Sequence, residues 1–173
     1  MSTVSRPDPR EAVERAAARR ERREARARWR RFVLLAGIVL VADQVAKAIV
    51  RGSMAPGETH EIFPGFALSR VTNEGIAFGL FPGRQSVVAV LTVVALSAIA
   101  LTLAGFAHRH PMVSAGGGLL VGGSVGNLVD RLMHDGVTDY LDPAHWPAFN
   151  LADVGIVVGA ALIVLGLLQS ERE

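Results

Sequence analysis

Four apolar runs, at about 32–50, 86–106, 113–132 and 151–168, divide the chain and are separated by polar stretches. Each comes close to the ~20 residues needed to cross ~30 Å of hydrocarbon at ~1.5 Å per helical residue, so four transmembrane helices are predicted. Residues 51–85 read differently. From Glu61 to Asn73, short apolar and polar runs alternate around the Pro64-Gly65 turn, the pattern of a small β element within about 58–80. Such a sheet is too small to stand alone, so it must rest on the helices or on lipid headgroups. The expected fold class is an all-α polytopic membrane protein with a small extracytoplasmic β-sheet. Glycines four residues apart, Gly118, Gly122 and Gly126 and then Gly155 and Gly159, clear one stripe of a helix so that backbones can approach in lipid. Glycine is also common in membrane helices generally, which accounts for part of this pattern.

Charge orients the layout. Eleven of the eighteen Lys and Arg residues fall in residues 1–31, so the net charge of +2 describes a basic arm joined to an acidic remainder. The arm abuts the first apolar run, and His108-Arg109-His110-Pro111 joins the second to the third. Both belong in the cytoplasm by the positive-inside rule, which predicts an N-in, C-in topology with residues 51–85 and 133–150 outside. Three regions follow: a cytoplasmic arm at 1–31, a membrane domain at 32–168 and a tail at 169–173. A basic arm beside an apolar helix points to anionic lipid and not to nucleic acid. Its Glu11/Arg15 and Glu24/Arg28 spacings suit a helix, with disorder the alternative. Arg30-Arg31 before Phe32 also resembles the start of a secretory signal, but Asp43 and Lys47 interrupt the apolar core and no small-residue cleavage site follows.

Cysteine is absent, which removes disulfides, thiolate metal sites and a cysteine nucleophile. The five histidines lack the His-Glu-x-x-His spacing of a zinc protease, so neither a metal nor a cofactor is expected.

Polar groups in the apolar runs carry the chemistry, because an ionised side chain at mid-membrane costs about 2.5–3.5 kcal/mol even on the lenient insertion scale. Asp43 and Lys47 stand four apart, either as a self-satisfied pair with the lysine snorkelling outward or as part of a site. Asn127, Asp130 and Arg131 share one helical face, either locking helices together or orienting a neighbour. Asp139 and Asp153 bracket the last outer loop, and Asp139 read by itself could be a solvated loop residue. On the predicted topology these groups, with Asn73 and Asn150, all gather in the outer third of the membrane or just above it. Scattered ion pairs would not choose one leaflet, and a transmembrane ion path would use both. A site open to the outer surface remains.

Carboxylates dominate that cluster. Two that share a site cannot both ionise cheaply, so one stays protonated beside an anionic base. This suits peptide hydrolysis of the aspartic type, with water activated by the base and the carbonyl by the acid. A Ser/Lys pair using Lys47 with Ser53 or Ser124 is the rival chemistry; Asp43 one turn away would raise the lysine's pKa and spoil it as a base. Two rival classes also stay open. A small transporter or proton-coupled carrier predicts inverted repeats and polar groups in both leaflets, and a structural membrane subunit predicts that Asp139 and Asp153 are dispensable.

Five motifs then carry a resemblance: Asp43-Gln44-Val45-Ala46-Lys47, Asn73-Glu74-Gly75-Ile76-Ala77-Phe78-Gly79, Gly123 through Arg131, Val137-Thr138-Asp139-Tyr140 and Phe149-Asn150-Leu151-Ala152-Asp153. In this order, across residues 32–168, they resemble the motif series of lipoprotein signal peptidases (type II signal peptidases). The resemblance implies that Asp139 and Asp153 are the catalytic dyad and that Asn127, Asp130, Arg131 and Asn150 hold it. It implies that Asp43, Lys47, Asn73 and Gly75 support the site or the substrate, and that a mobile outer segment covers the dyad. The implied substrates are diacylglyceryl-modified prolipoproteins, cut just before the lipidated cysteine at the outer face of a bacterial cytoplasmic membrane. Globomycin-like cyclic peptides would be inhibitors, and a monomer is expected. Ala46 and Val154 depart from the Ser or Thr common at those positions, and the arm is longer and more basic than the family requires.

Overall fold

The computed structural model describes residues 9–74, 111–134 and 136–170; the span expected at 86–106, and Gly75, lie outside the described residues. The first helix, α1 (Pro9–Ser53), is 45 residues long and takes in both the basic arm and the first apolar run. No Gly or Pro interrupts residues 10–36, which are rich in the strong helix formers Ala, Arg, Glu and Leu, so nothing breaks the helix at the membrane boundary. Pro9 suits a first helical position, where no N–H is needed. The Glu11–Arg15 and Glu24–Arg28 pairs form at 2.8 and 3.4 Å, so the arm is helical as its spacing allowed. At ~1.5 Å per residue, α1 is roughly 67 Å long, more than twice the ~30 Å a hydrocarbon core requires. At the other end, Arg70 donates to the carbonyls of Arg51 (3.0 Å) and Met54 (2.6 Å), satisfying C-terminal acceptors of α1 with a cation.

Two further helices complete the described bundle, α2 (Pro111–Met133) and α3 (Leu151–Ser170), each ending within two residues of its expected limits. These three helices are long and apolar enough to cross a membrane. Leu34, Ile38, Val41, Val45 and Ile49 on α1 and Val157, Val158, Leu165 and Leu168 on α3 are exposed. Stripes of that kind suit hydrocarbon and not water.

Small residues set the helix spacing. Ser114 on α2 donates to the carbonyl of Arg28 at 2.7 Å, and a Cβ on Gly118 would meet the carbonyl of Phe32 at 2.5 Å, so α1 and α2 run in the same direction. α3 runs against both, with Gly159 beside Gly116 and Gly155 near Leu119. A Cβ on Gly159 would lie 2.6 Å from both the Gly116 carbonyl oxygen and the Leu120 nitrogen. Backbone cannot give way there, so Gly159→Ala should destabilise by about 1–3 kcal/mol as the helices part. Gly37→Ala, which meets nothing within 4 Å, should leave the melting temperature in detergent unchanged or slightly raised.

The sheet is antiparallel with order β1 (Thr59–Phe63), β2 (Phe66–Asn73) and β3 (Val137–Pro143). The expected hairpin lies inside 58–80, but the third strand was not anticipated. Asp139, read as a loop residue, stands on β3 opposite Val71, while Asn73 pairs with Val137. Val50 of α1 and Met54 just past its end pack with Tyr140, and Leu68, Leu141 and Leu151 close around them. This small core fixes the sheet to the ends of α1 and α3, and the Tyr140 hydroxyl accepts the Leu151 N–H at 3.2 Å.

Candidate active site

The polar residues singled out in the sequence and described in the structure gather where α1, α2, β3 and α3 meet. Their foundation is a buried charge cluster. Asp43, Lys47 and Asp130 are each 0% exposed. The Lys47 ammonium lies 2.8 Å from Asp43 Oδ2 and 3.4 Å from Asp130 Oδ2, and donates to Asn127 Oδ1 at 2.8 Å. The ammonium is thus held between two carboxylates and an amide oxygen, which corrects the snorkelling alternative: the lysine turns inward because two carboxylates wait there. The same engagement counts against its service as the base of a Ser/Lys pair. Arg51 completes the neutralisation, reaching Asp130 Oδ1 at 3.2 Å and Thr138 Oγ1 at 3.0 Å.

The two acids of this cluster also order the backbone around them. Asp43 Oδ1 accepts the Ala152 N–H at 3.0 Å, capping the start of α3 from across the bundle. Asp130 Oδ2 accepts the Thr138 N–H at 2.9 Å and so anchors β3 one residue before Asp139. Gln44 bridges Asp43, the Gly126 carbonyl and Asp130 at 3.1–3.3 Å.

Above this base, amides carry the order toward Asp139 and Asp153. Asn127 accepts from Lys47 and donates to Asp153 Oδ1 at 2.7 Å. Asn150 donates to Asn127 Oδ1 at 3.1 Å and to Asp139 Oδ1 at 2.6 Å. Its backbone N–H reaches Asp153 Oδ2 at 3.2 Å, and its side-chain oxygen accepts the Asp153 N–H at 3.0 Å, the reciprocal bonds of a helix start. Asn73, from β2, donates to Asp139 Oδ2 at 3.0 Å. Each carboxylate is therefore held through both oxygens. Asp139, Asp153, Asn73, Asn127 and Arg131 line one open cavity of about 310 Å³. Arg131 sits there as a positive charge, its guanidinium bonded back to the Asn127 carbonyl at 3.3 Å.

Asp139 is 3% exposed, so the solvated-loop alternative does not hold. Burial, with a smaller contribution from the Asp153 charge, pushes its carboxyl up to about 6, against the opposing hydrogen bonds from Asn73 and Asn150. A pair of neighbouring carboxyls, one of them inclined to keep its proton near neutrality, can act together as acid and base.

Sequence reasoning missed Arg51, Gln44 and the Tyr140 hydroxyl. Arg51 was within reach of it, because Asp43, Lys47 and Arg51 are spaced i, i+4, i+8 on one face of α1. The bonds to the Thr138 and Ala152 N–H groups depend on how β3 and α3 are placed, which no spacing along the chain encodes.

Comparison with known proteins agrees with the motif series. Residues 35–169 match the family model described as signal peptidase (SPase) II. A lipoprotein signal peptidase of Halothermothrix orenii is 43% identical over 136 residues, covering 78% of this chain and 93% of the relative. One from Pelotomaculum thermopropionicum is 40% identical over 139 residues, covering 80% and 91%. A solved bacterial membrane enzyme structure, obtained by the in meso method at 2.3 Å resolution, superimposes with a TM-score of 0.71 at 28% identity, covering 81% of this chain and 88% of that one. The chain belongs to the signal peptidase II family.

Proposed function

We propose that this protein is an aspartic endopeptidase that cuts diacylglyceryl-modified prolipoproteins immediately before the lipidated cysteine, with Asp139 and Asp153 as its catalytic pair. That it is a protease of lipoprotein processing follows from the family. The aspartic chemistry rests on one observation above the others: two carboxylates, each fixed through both oxygens, line a single cavity.

In the proposed reaction, one carboxylate takes a proton from a water molecule whose oxygen attacks the scissile carbonyl carbon. The neutral carboxyl gives its proton to the carbonyl oxygen, and a gem-diol forms with no covalent enzyme intermediate. Collapse of the gem-diol breaks the C–N bond: the carboxyl that took the water's proton gives it to the departing amine, while the other carboxylate takes a proton back from a gem-diol hydroxyl. Asp139 is the member suited to hold the resting proton, because burial pushes it up to about 6 and substrate would exclude further water. Asn127 and Asn150 would keep the pair at working distance, and Arg131 would steady the negative charge left in the cavity. Asp43, Lys47 and Asp130 act one layer below, by orienting Asn127, β3 and the start of α3. The contribution of Gly75 is carried by the motif resemblance alone.

The parallel run of α1 and α2 suits a four-span, N-in, C-in layout with its second span at 86–106, which would place the sheet and the pair at the outer face of a bacterial cytoplasmic membrane. The boundaries 1–31, 32–168 and 169–173 follow the same layout. Diacylglyceryl-prolipoproteins, membrane lipid and globomycin-like cyclic peptides are the proposed partners, and a monomer would suffice because every proposed catalytic group comes from one chain. The transporter and scaffold alternatives are not favoured by the family. Serine chemistry is tested by Ser53→Ala and Ser124→Ala, which should cleave a diacylglyceryl precursor at the wild-type rate in detergent. Loss of cleavage in either folded variant would return the Ser/Lys mechanism.

A further inference from the structure

Between Glu24 and Asp43 the chain carries four arginines and no acid, in the stretch where α1 passes from the arm into its apolar run. Arg28 is already engaged: its guanidinium lies 3.4 Å from Glu24, and its carbonyl accepts from Ser114 in the first turn of α2. Arg28 and Trp29 therefore stand where the described bundle begins. Beside them an open groove of about 570 Å³ runs along the outside of α1, lined by Ala27, Trp29, Arg30, Arg31, Val33 and Leu34. Ala27, Arg30, Arg31 and Leu34, spaced i, i+3, i+4 and i+7, form one wall; Trp29 and Val33, spaced i and i+4, form the other. The Trp29 ring stacks on Phe32 with centroids 5.2 Å apart, which holds the indole beside the groove. Trp29, Val33 and Leu34 are exposed, and no acid stands three or four residues from Arg30 or Arg31 to pair with them on the helix.

We infer that this groove binds an anionic phospholipid of the surrounding bilayer, with Arg30 and Arg31 on its headgroup and Val33 and Leu34 against the upper part of an acyl chain. The inference deepens the membrane-lipid reading and rests on its N-in layout, which makes the leaflet the cytoplasmic one. The site lies roughly 20 Å along α1 from Asp43, at the opposite end of the span from the two proposed catalytic aspartates. Polarity selects the occupant. Over about 6 Å of helix the lining passes from two guanidiniums to a valine and a leucine, the order of head and tail in a lipid standing in a leaflet. A soluble polyanion matches the arginines but gives Val33 and Leu34 no apolar partner. A zwitterionic headgroup brings its own cation toward two uncompensated guanidiniums. An anionic headgroup brings none, and its phosphate oxygens accept the forked N–H donors of arginine. Trp29 suits the level between them, with its ring on the chain and its indole N–H among the headgroups. Arg19 and Arg20 lie roughly 15 Å farther out along α1, beyond the Debye length of about 8 Å, and take no part.

Trp29 and Trp146 are the chain's two tryptophans, so Trp146→Phe leaves Trp29 as the sole indole reporter. The full-length variant is placed in phosphatidylcholine nanodiscs that also hold a small, equal share of either phosphatidylglycerol or phosphatidylcholine brominated high on its acyl chains. Brominated phosphatidylglycerol should quench Trp29 fluorescence at least about threefold more than brominated phosphatidylcholine, less than the roughly fivefold that one arginine near an anionic surface is worth. Raising the ionic strength from about 0.1 M to about 1 M, which shortens the Debye length from about 10 Å to about 3 Å, should at least halve the difference. Adding Arg30→Gln and Arg31→Gln together should abolish it, whereas Arg19→Gln with Arg20→Gln, the same loss of charge farther out on the arm, should preserve it. Equal quenching by the two lipids in the Trp146→Phe protein would overturn the site and return the arginines to snorkelling or to a soluble polyanion, while leaving Trp29 at the membrane. Equal loss of the difference in both double variants would also overturn it, in favour of diffuse attraction by the whole arm. Quenching by neither lipid would overturn both the site and the placement of Trp29 at the membrane boundary. No arm of the test depends on peptide cleavage, so the protease reading stands or falls separately.

Discussion

Asp139→Asn and Asp153→Asn should each lower kcat by about 10²–10⁴-fold, with KM for the lipidated precursor little changed. Both amides keep the shape of the site and can still accept one of the hydrogen bonds that hold the wild-type carboxylates. What they lose is the ability to exchange a proton with water and with the scissile carbonyl. Because the two groups act as a pair, the double variant should be scarcely worse than either single one. Asp139 adds a second signature, in stability. Its folded pKa, about 6, lies above the ordinary carboxyl value of 3.8, so the folded state binds the proton more tightly than the unfolded chain does. The contribution to stability is therefore full below about pH 4 and is lost as pH rises through about 6. Asn at this position does not titrate. The stability of Asp139→Asn relative to wild type should accordingly improve between pH 4 and pH 7, by about 1–3 kcal/mol, and thermal melts in detergent across that range would measure it. A flat difference would mean that Asp139 is not held in the environment described.

Lys47→Met should be the most damaging single change to the fold. It leaves Asp43 and Asp130, both fully buried, without their shared ammonium: Asp43 keeps the neutral donors Gln44 and the Ala152 N–H, and Asp130 keeps Arg51, Gln44 and the Thr138 N–H. Removing one partner of a buried ion pair costs about 3–5 kcal/mol, which for a chain of this size is a fall of roughly 6–20 °C in melting temperature. Adding Asp43→Asn removes one stranded charge while keeping an oxygen for the Ala152 N–H, so the double variant should recover part of the loss. If Lys47→Met melts with wild type, the cluster is not the foundation of the site. The cluster's position explains why the damage should reach catalysis as well. Lys47 orients Asn127, which holds Asp153, and Asp130 anchors β3 beside Asp139.

Much of this could be read from the chain, because lipid enforces simple rules. Helices α2 and α3 end within two residues of the apolar runs at 113–132 and 151–168, while α1 carries on from the run at 32–50 through the arm to Pro9; the Lys47 pairing followed from its spacing to Asp43. The resemblance drew Asp139, Asp153, Asn127 and Asn150 together before any coordinates. What the sequence hid was long-range placement. Val137–Pro143 contains two aspartates and a proline and gives only a weak strand pattern, yet β2 recruits it as a third strand. That pairing sets Asp139 opposite Val71 and within reach of Asn73. The basic arm was ambiguous for a different reason: its propensity favours a helix, but no packing signal extends beyond the bundle, and residues 10–24 are exposed throughout. The part that Trp146 and Phe149 play in lining the cavity was invisible because they lie in a loop whose course depends on the Leu141–Phe149 bridge to β3.

The most direct test of the central claim is the mass of the products when the detergent-purified protein meets a diacylglyceryl-prolipoprotein. The account predicts two species, a free signal peptide and a mature chain that begins at the lipidated cysteine, formed by wild type and absent with folded Asp139→Asn and Asp153→Asn. Cleavage at another bond, or the same products from either aspartate variant, would contradict it.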